Sequence, residues 1–444
     1  MTNKLQGHTT GKGETVLLTA ILVVVFTVPF SGTFNSLAIM LLGLVWLLQR
    51  HYKNLRQLFT FNFGVSFLFY LMFIVGLTYT QDLKNGMFQI EQKLSLIVFP
   101  FLFATIPALS RRNLKLIFSF FVLVCLLASV YSVWAGAFVN YRHNQLTTID
   151  LANFTNQNLA GYIGTHSTYF SMYIAFSIFI VFESLKNNSS KRQRLVYFTL
   201  IAWFVFFLFL LAARIVLIAF ILIALVYLVK ATLQTRKNYK LLLPVIGGGL
   251  ILTLALSGTA YFKNRFSEIY SVNMSNLIGS NSENGVTQRF FFWKNSLDII
   301  QRSPFIGHGT GDAHIEFKKQ YADLLLQNPG YQPSVVEAIR FFEKQQYNSH
   351  NQFLQVLILF GATGLVVFLI LFARCYYVCF KRKNILYFSF ITIVFFSCLT
   401  ECVFDRQFGV VFFSVFNAIF LFHDKENENA SANHGEFRAE TPDL

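Results

Sequence analysis

Long apolar runs separated by short polar ones set the rhythm of this chain from about residue 16 to residue 422. Twelve of them predict membrane helices, at 16–30, 35–49, 59–79, 93–109, 114–139, 167–184, 195–213, 215–233, 241–261, 351–373, 385–402 and 408–422. An apolar run of about eighteen residues is enough to cross a bilayer core. The rhythm breaks once, between 262 and 350, where a polar segment of domain-like length intervenes. The expected architecture is therefore an all-α, polytopic membrane protein of about twelve helices. A polar N-terminus (1–14) precedes helices 1–9 (15–261). The long loop (262–350), helices 10–12 (351–422) and a polar tail (423–444) follow.

Composition agrees with the pattern. Of 444 residues, 55% are hydrophobic, 13% are charged and 54 are Phe, whereas a soluble domain carries roughly 25% charged residues. A formal charge of +15 would suit nucleic acid, but the Lys and Arg fall in short clusters between apolar runs, so no nucleic-acid partner is expected. One set of short loops holds eighteen Lys and Arg and the alternate set five. The rich set belongs in the cytoplasm, which puts both termini inside and 262–350 on the far side. The first apolar run follows fourteen polar residues and lacks a cleavage-site pattern, so it reads as a retained helix. All five Cys lie in or beside apolar runs and read as small packing residues. The tail has six acidic against two basic residues and reads as disordered.

The outer face carries the candidate chemistry. Within the long loop, Phe290, Trp293, Leu297 and Ile300 form a stripe at helical spacing. Ser334 and Glu337 form a capping-box pattern that opens a second helix through about Gln346. Both helices are expected to lie along the membrane as a lid. Arg214, between helices 7 and 8, reads either as a snorkelling turn residue or as a functional cation. Arg289 begins the striped helix, ahead of alternating Gly307, Gly309 and Gly311, which let backbone approach a ligand or fold tightly. No strand precedes these glycines, so they form no dinucleotide fingerprint. His350, where the loop re-enters the membrane, reads as a wet interfacial residue or as a base for an incoming hydroxyl. His166 opens helix 6 at the same face, and Glu401, Asp405 and Arg406 surround the turn between helices 11 and 12, where they read either as functional charges or as groups that satisfy one another. His308, His314 and His350 follow no metal-ligand spacing, so neither a metal nor another cofactor is expected. Two Arg forks suit a diphosphate. No phosphate-binding loop lies on the inner side, so the donor is expected to arrive already activated, as a diphosphate-linked lipid.

The ordered set of Arg214, Arg289–Trp293 (R-x3-W), Pro304–Gly311 (P-x2-G-x-G-x-G), Ser349–Gln355 (S-H-N-x-F-L-Q), Gly361, Gly364, Glu401 and Gly409 resembles the O-antigen ligase family. That family lies within the superfamily of ligases, polymerases and protein O-oligosaccharyltransferases. The match runs from about 195 to 422; the first five helices match only in kind. The resemblance implies a metal-independent, inverting glycosyltransferase of the bacterial inner membrane, with its active site facing the periplasm. Its donor would be a glycan on undecaprenyl diphosphate, its acceptor the lipid A core, and its surroundings membrane lipid. Arg214 and Arg289 would hold the diphosphate and His350 would act on the acceptor hydroxyl. Further substrate contacts are expected from His166, Gly307, Gly309, Gly311, Asn351 and Glu401. A repeat-unit polymerase or a protein transferase shares the donor and differs in acceptor. A lipid-linked glycan transporter would place its polar groups near the bilayer midplane, and here they cluster at the outer ends.

Overall fold

Helices carry the whole architecture of the computed structural model, with no strand among the residues it describes: 11–30, 32–144, 150–186, 190–233, 285–345 and 348–423. In chain order the helices are α1 (Gly11–Thr27), α2 (Gly32–Leu48), α3 (Phe61–Gly76), α4 (Leu83–Lys93), α5 (Ser95–Thr105), α6 (Arg111–Asn144), α7 (Asn156–Gly161) and α8 (Ser167–Lys186). They continue with α9 (Lys191–Leu211), α10 (Arg214–Leu233), α11 (Gly285–Arg302), α12 (Ala313–Gln327) and α13 (Pro333–Gln345). The last three are α14 (Gln352–Lys381), α15 (Ile385–Ser397) and α16 (Gln407–His423). Six of the described helical stretches are long and apolar enough to cross a membrane, or seven if α2 and the bent turn His51–Leu58 count as one span. The chain is thus a multi-pass membrane protein. The expected helix at 241–261 and residues 262–284 of the long loop lie outside the described residues.

Two helices are apolar all round, and both are buried, as such sequences require. Every residue of α8 from Ser167 to Phe182 is buried, as is all of α16 from Gly409. Rings join the two: Phe176 lies 5.2 Å from Phe416 and 5.1 Å from Phe390 of α15, and Phe121 of α6 lies 4.7 Å from Phe416. Lipid is as apolar as these side chains, so close packing and ring geometry rather than water exclusion hold such a core.

One predicted helix starts elsewhere. The run expected at 93–109 belongs to a stretch that begins at Leu83 and ends at Thr105, broken at Leu94 between α4 and α5. The sequence of α4 is polar on one side, which hid it from a search for apolar runs.

The long loop, described from 285, is a three-helix cap. Phe291, Phe292 and Ile299 of α11, Phe317 and Tyr321 of α12, and Ile339 and Phe342 of α13 share a core with Ile358 of α14. The stripe read from the sequence is the other side of α11: Phe290 and Leu297 are half exposed. A third helix, α12, joins the two expected ones. Buried Glu316 ties it to α11 through Arg302 Nη1 at 3.8 Å and also pairs within α12 with Lys319 Nζ at 2.6 Å.

The cap is fastened to the bundle through a break in α14. Gly361 has φ 60° and ψ −157°, a backbone region that essentially glycine alone occupies. The loop from Pro304 to Gly309 pairs with the opened turn: Ala362 N donates to Pro304 O at 2.8 Å and Thr363 N to Phe305 O at 3.2 Å. In return, His308 N donates to Ile358 O and Gly309 N to Leu359 O, both at 2.9 Å.

Candidate active site

The functional candidates meet where the cap rejoins the bundle. Asn351 caps α14: its Oδ1 accepts from the backbone N–H of Phe353 and Leu354, and its Nδ2 donates to Leu399 O at 3.1 Å. Gln352 N donates to Cys398 O at 2.8 Å, and Gln352 Oε1 accepts from Phe404 N at 2.7 Å. These bonds stitch the start of α14 to the turn 398–406, so Asn351 acts here on the protein's own backbone.

The stitching brings His350 to Glu401. Glu401 is 5% exposed and its Oε2 lies 3.5 Å from His350 Nδ1. His350 has φ 45°, an uncommon region for a residue with a side chain, which the surroundings must hold. Its N–H donates to Asn348 Oδ1 at 3.1 Å, and its ring stacks on Phe292 of α11 at 5.4 Å. Arg289, one turn before Phe292, donates from Nε to Thr400 O at 3.2 Å. His166 stands just ahead of α8 at the same end, its ring against Tyr169.

Charge follows this geometry. Burial alone would disfavour the Glu401 carboxylate, but His350, His166 and Arg289 outweigh burial and hold its pKa at about 2. The surrounding protein pushes the His166 imidazole below its ordinary value; Glu401 opposes this, and Arg289, His350 and Arg406 add to it. The carboxyl is thus more acidic folded than unfolded, so its contribution to stability is present above about pH 4.5 and lost as pH falls through about 2. The shift corresponds to about 3 kcal/mol. Detergent-solubilised Glu401→Gln is expected to melt below wild type at neutral pH, with the gap closing towards pH 2. A gap that stays constant over that range would show that the charge is not what stabilises.

The other candidates take different places. Antiparallel α8 and α9 return the chain to the same end of the bundle, where Arg214 begins α10, half-buried, after left-handed Ala212. The charges that act on Glu401 and His166 include one another, His350 and Arg289, with Arg406 acting on His166 as well. Gly307, Gly309 and Gly311 abut the protein's own backbone, against Leu359–Phe360, Gly76 and Thr80, and Asp82 and Gly86 respectively. Their freedom is used in tight folding. His308 faces Glu316 at 3.8 Å and His314 faces Asp82 at 3.3 Å. Among the described residues, no three His, Cys, Asp or Glu side chains group as metal ligands would.

Two features escape sequence reading. Lys93, at the end of α4, is fully buried and pairs with Asp405 at 3.1 Å while lying over the Phe73 ring. Asp312 is buried at the start of α12, where its carboxylate accepts from Thr80 Oγ1, Gln81 N and Asp82 N at 2.7–2.9 Å. The polar face of α4 was the available signal for the first, and the Asp after Gly311 for the second. Between α4, the cap and the Asp405–Arg406 turn lies a cleft of about 770 Å³, reaching Asn348 beside His350.

Residues 197–369 match the family model described as O-antigen ligase. That span runs from α9 into α14 and contains Arg214, Arg289, the glycine loop and His350; His166 and Glu401 lie outside it. No curated protein matches the chain. The order of these residues and the match to their segment agree: residues 197–369 are similar to the O-antigen ligase family.

Proposed function

We propose that the protein moves a glycan from undecaprenyl diphosphate to the lipid A core on the periplasmic side of a bacterial inner membrane. The family supports transfer of a lipid-linked glycan as a class. The bias of Lys and Arg between alternate loops supports cytoplasmic termini and a periplasmic cap.

The observation that carries the chemistry is the His350–Glu401 pair. A carboxylate at Nδ1 holds the proton there and leaves Nε2 to accept one, the logic by which a buried acid orients a catalytic imidazole. Nε2 takes the proton of an acceptor sugar hydroxyl as its oxygen attacks the anomeric carbon. The bond from that carbon to the diphosphate oxygen breaks, and the lipid diphosphate leaves with the electron pair. Arg289 and Arg214 stabilise the charge that develops there. A single displacement of this kind inverts the anomeric centre, and no metal takes part.

The purified chain in proteoliposomes, given lipid-linked donor and lipid A core in excess EDTA, is expected to form the joined glycolipid with inverted linkage. Retained configuration would overturn the mechanism. Transfer lost in EDTA and restored by a divalent ion would overturn its metal independence.

A further inference from the structure

The cleft beside His350 is lined by oriented amides. On α4, Asn85, Gln89 and Gln92 follow one another at helical spacing and turn a polar face to it. Gln89 Oε1 accepts from Lys93 Nζ, which is itself fixed by Asp405. Gln355 Oε1 accepts from Ser349 Oγ at 3.2 Å and from Ser349 N at 3.4 Å. Asn348 Oδ1 accepts from His350 N at 3.1 Å. In all three the carbonyl is turned into the protein, which leaves the NH2 group as the part offered to the cleft. Among the described residues those NH2 groups have no protein partner.

Fixed NH2 donors suit a ligand rich in neutral oxygen acceptors. Acidic Asp82 and Asp405 alternate with basic Lys84 and Arg406 along the cleft, and Lys93 is taken up by Asp405, so no cluster of cations stands ready for a polyanion. Phe88 and Phe317 add apolar surface to the same wall, which suits the C–H faces of sugar rings. We propose that this cleft is a saccharide subsite, in which Gln89, Gln355 and Asn348 donate hydrogen bonds to hydroxyl and ring oxygens of a sugar chain and lead it to His350. The inference rests on the transfer reading above. The chain belongs either to the donor glycan or to the acceptor core, and both offer the same chemistry.

Gln89→Glu and Gln355→Glu keep the inward oxygen, with its bond to Lys93 or Ser349, and exchange the outward donor for an anionic acceptor. The probes are the soluble donor glycan and the soluble core oligosaccharide, each freed from lipid by mild acid. Their binding to the purified full-length protein is measured by saturation-transfer NMR and titration. One of the two is expected to bind wild type and to lose about tenfold or more in affinity in each variant, the worth of roughly one good hydrogen bond. Whichever sugar responds names the source. Binding of neither sugar to wild type, or equal affinity in wild type and both variants, overturns the subsite. Absence of transfer by wild type with both natural substrates overturns the transfer reading instead, and the binding result stands apart from it.

Discussion

Arg289→Ala is expected to lower glycan transfer by about 10²–10³-fold, the loss typical when one donor to a developing oxyanion is removed. Arg289 projects from α11, which the cap core holds rigidly through Phe291 and Phe292. Its Nε bond to Thr400 O fixes the plane of the guanidinium at the turn that carries Glu401. An arginine anchored at Nε is oriented before the substrate arrives, so no binding energy is spent turning it. Lysine has no planar fork and no Nε to hold Thr400, so Arg289→Lys is expected to recover little. Donor binding, measured with the lipid diphosphate alone, should weaken in both variants. Wild-type turnover in Arg289→Ala, with normal expression and melting, would remove this residue from the diphosphate site.

His350→Ala is expected to cost about 10²–10⁴-fold in transfer, the usual range for a positioned proton acceptor, while donor-lipid binding stays near wild type. Three constraints fix the ring: Glu401 at Nδ1, Phe292 against its face, and a backbone held at φ 45°. Structure spent on one imidazole makes sense when its remaining nitrogen has work to do. His350→Gln separates the two roles, because an amide can hydrogen-bond Glu401 but cannot take a proton at neutral pH. Near-normal transfer in the Gln variant would reduce His350 to a spacer. Donor binding lost in parallel with transfer in the Ala variant would move it to a structural role.

The membrane class, most helices and the cap were legible because apolar runs and one long polar interruption are one-dimensional signals. The candidate residues were legible as types in an order, and the structure brings His350, Arg289, Glu401 and His166 to one end of the bundle. Their mutual roles were not legible. Glu401 read as a substrate contact because nothing in a linear sequence says that residues 350 and 401 are 3.5 Å apart. The glycine loop read equally as a ligand cradle or a tight fold, and backbone from α14 fills the space beside Gly307. Lys93, at the start of the expected run 93–109, gave no sign of burial because α4 shows apolar periodicity on one side only. α11 misled for the opposite reason: both its sides carry apolar residues, and the stripe with the cleaner spacing is the one left partly exposed.

The opened turn at Gly361 bears on how the protein is made. A span entering the bilayer normally satisfies its own backbone as it forms, residue by residue. α14 cannot do so at 358–363, where the partners come from Pro304 to Gly309, a segment synthesised some fifty residues earlier. Its amides and carbonyls there stay unmatched until that earlier segment returns, so insertion of this span and folding of the cap are completed as one event. A ribosome-bound chain halted before Gly309 has docked would hold an incomplete span, exposed to the quality-control proteases of the membrane.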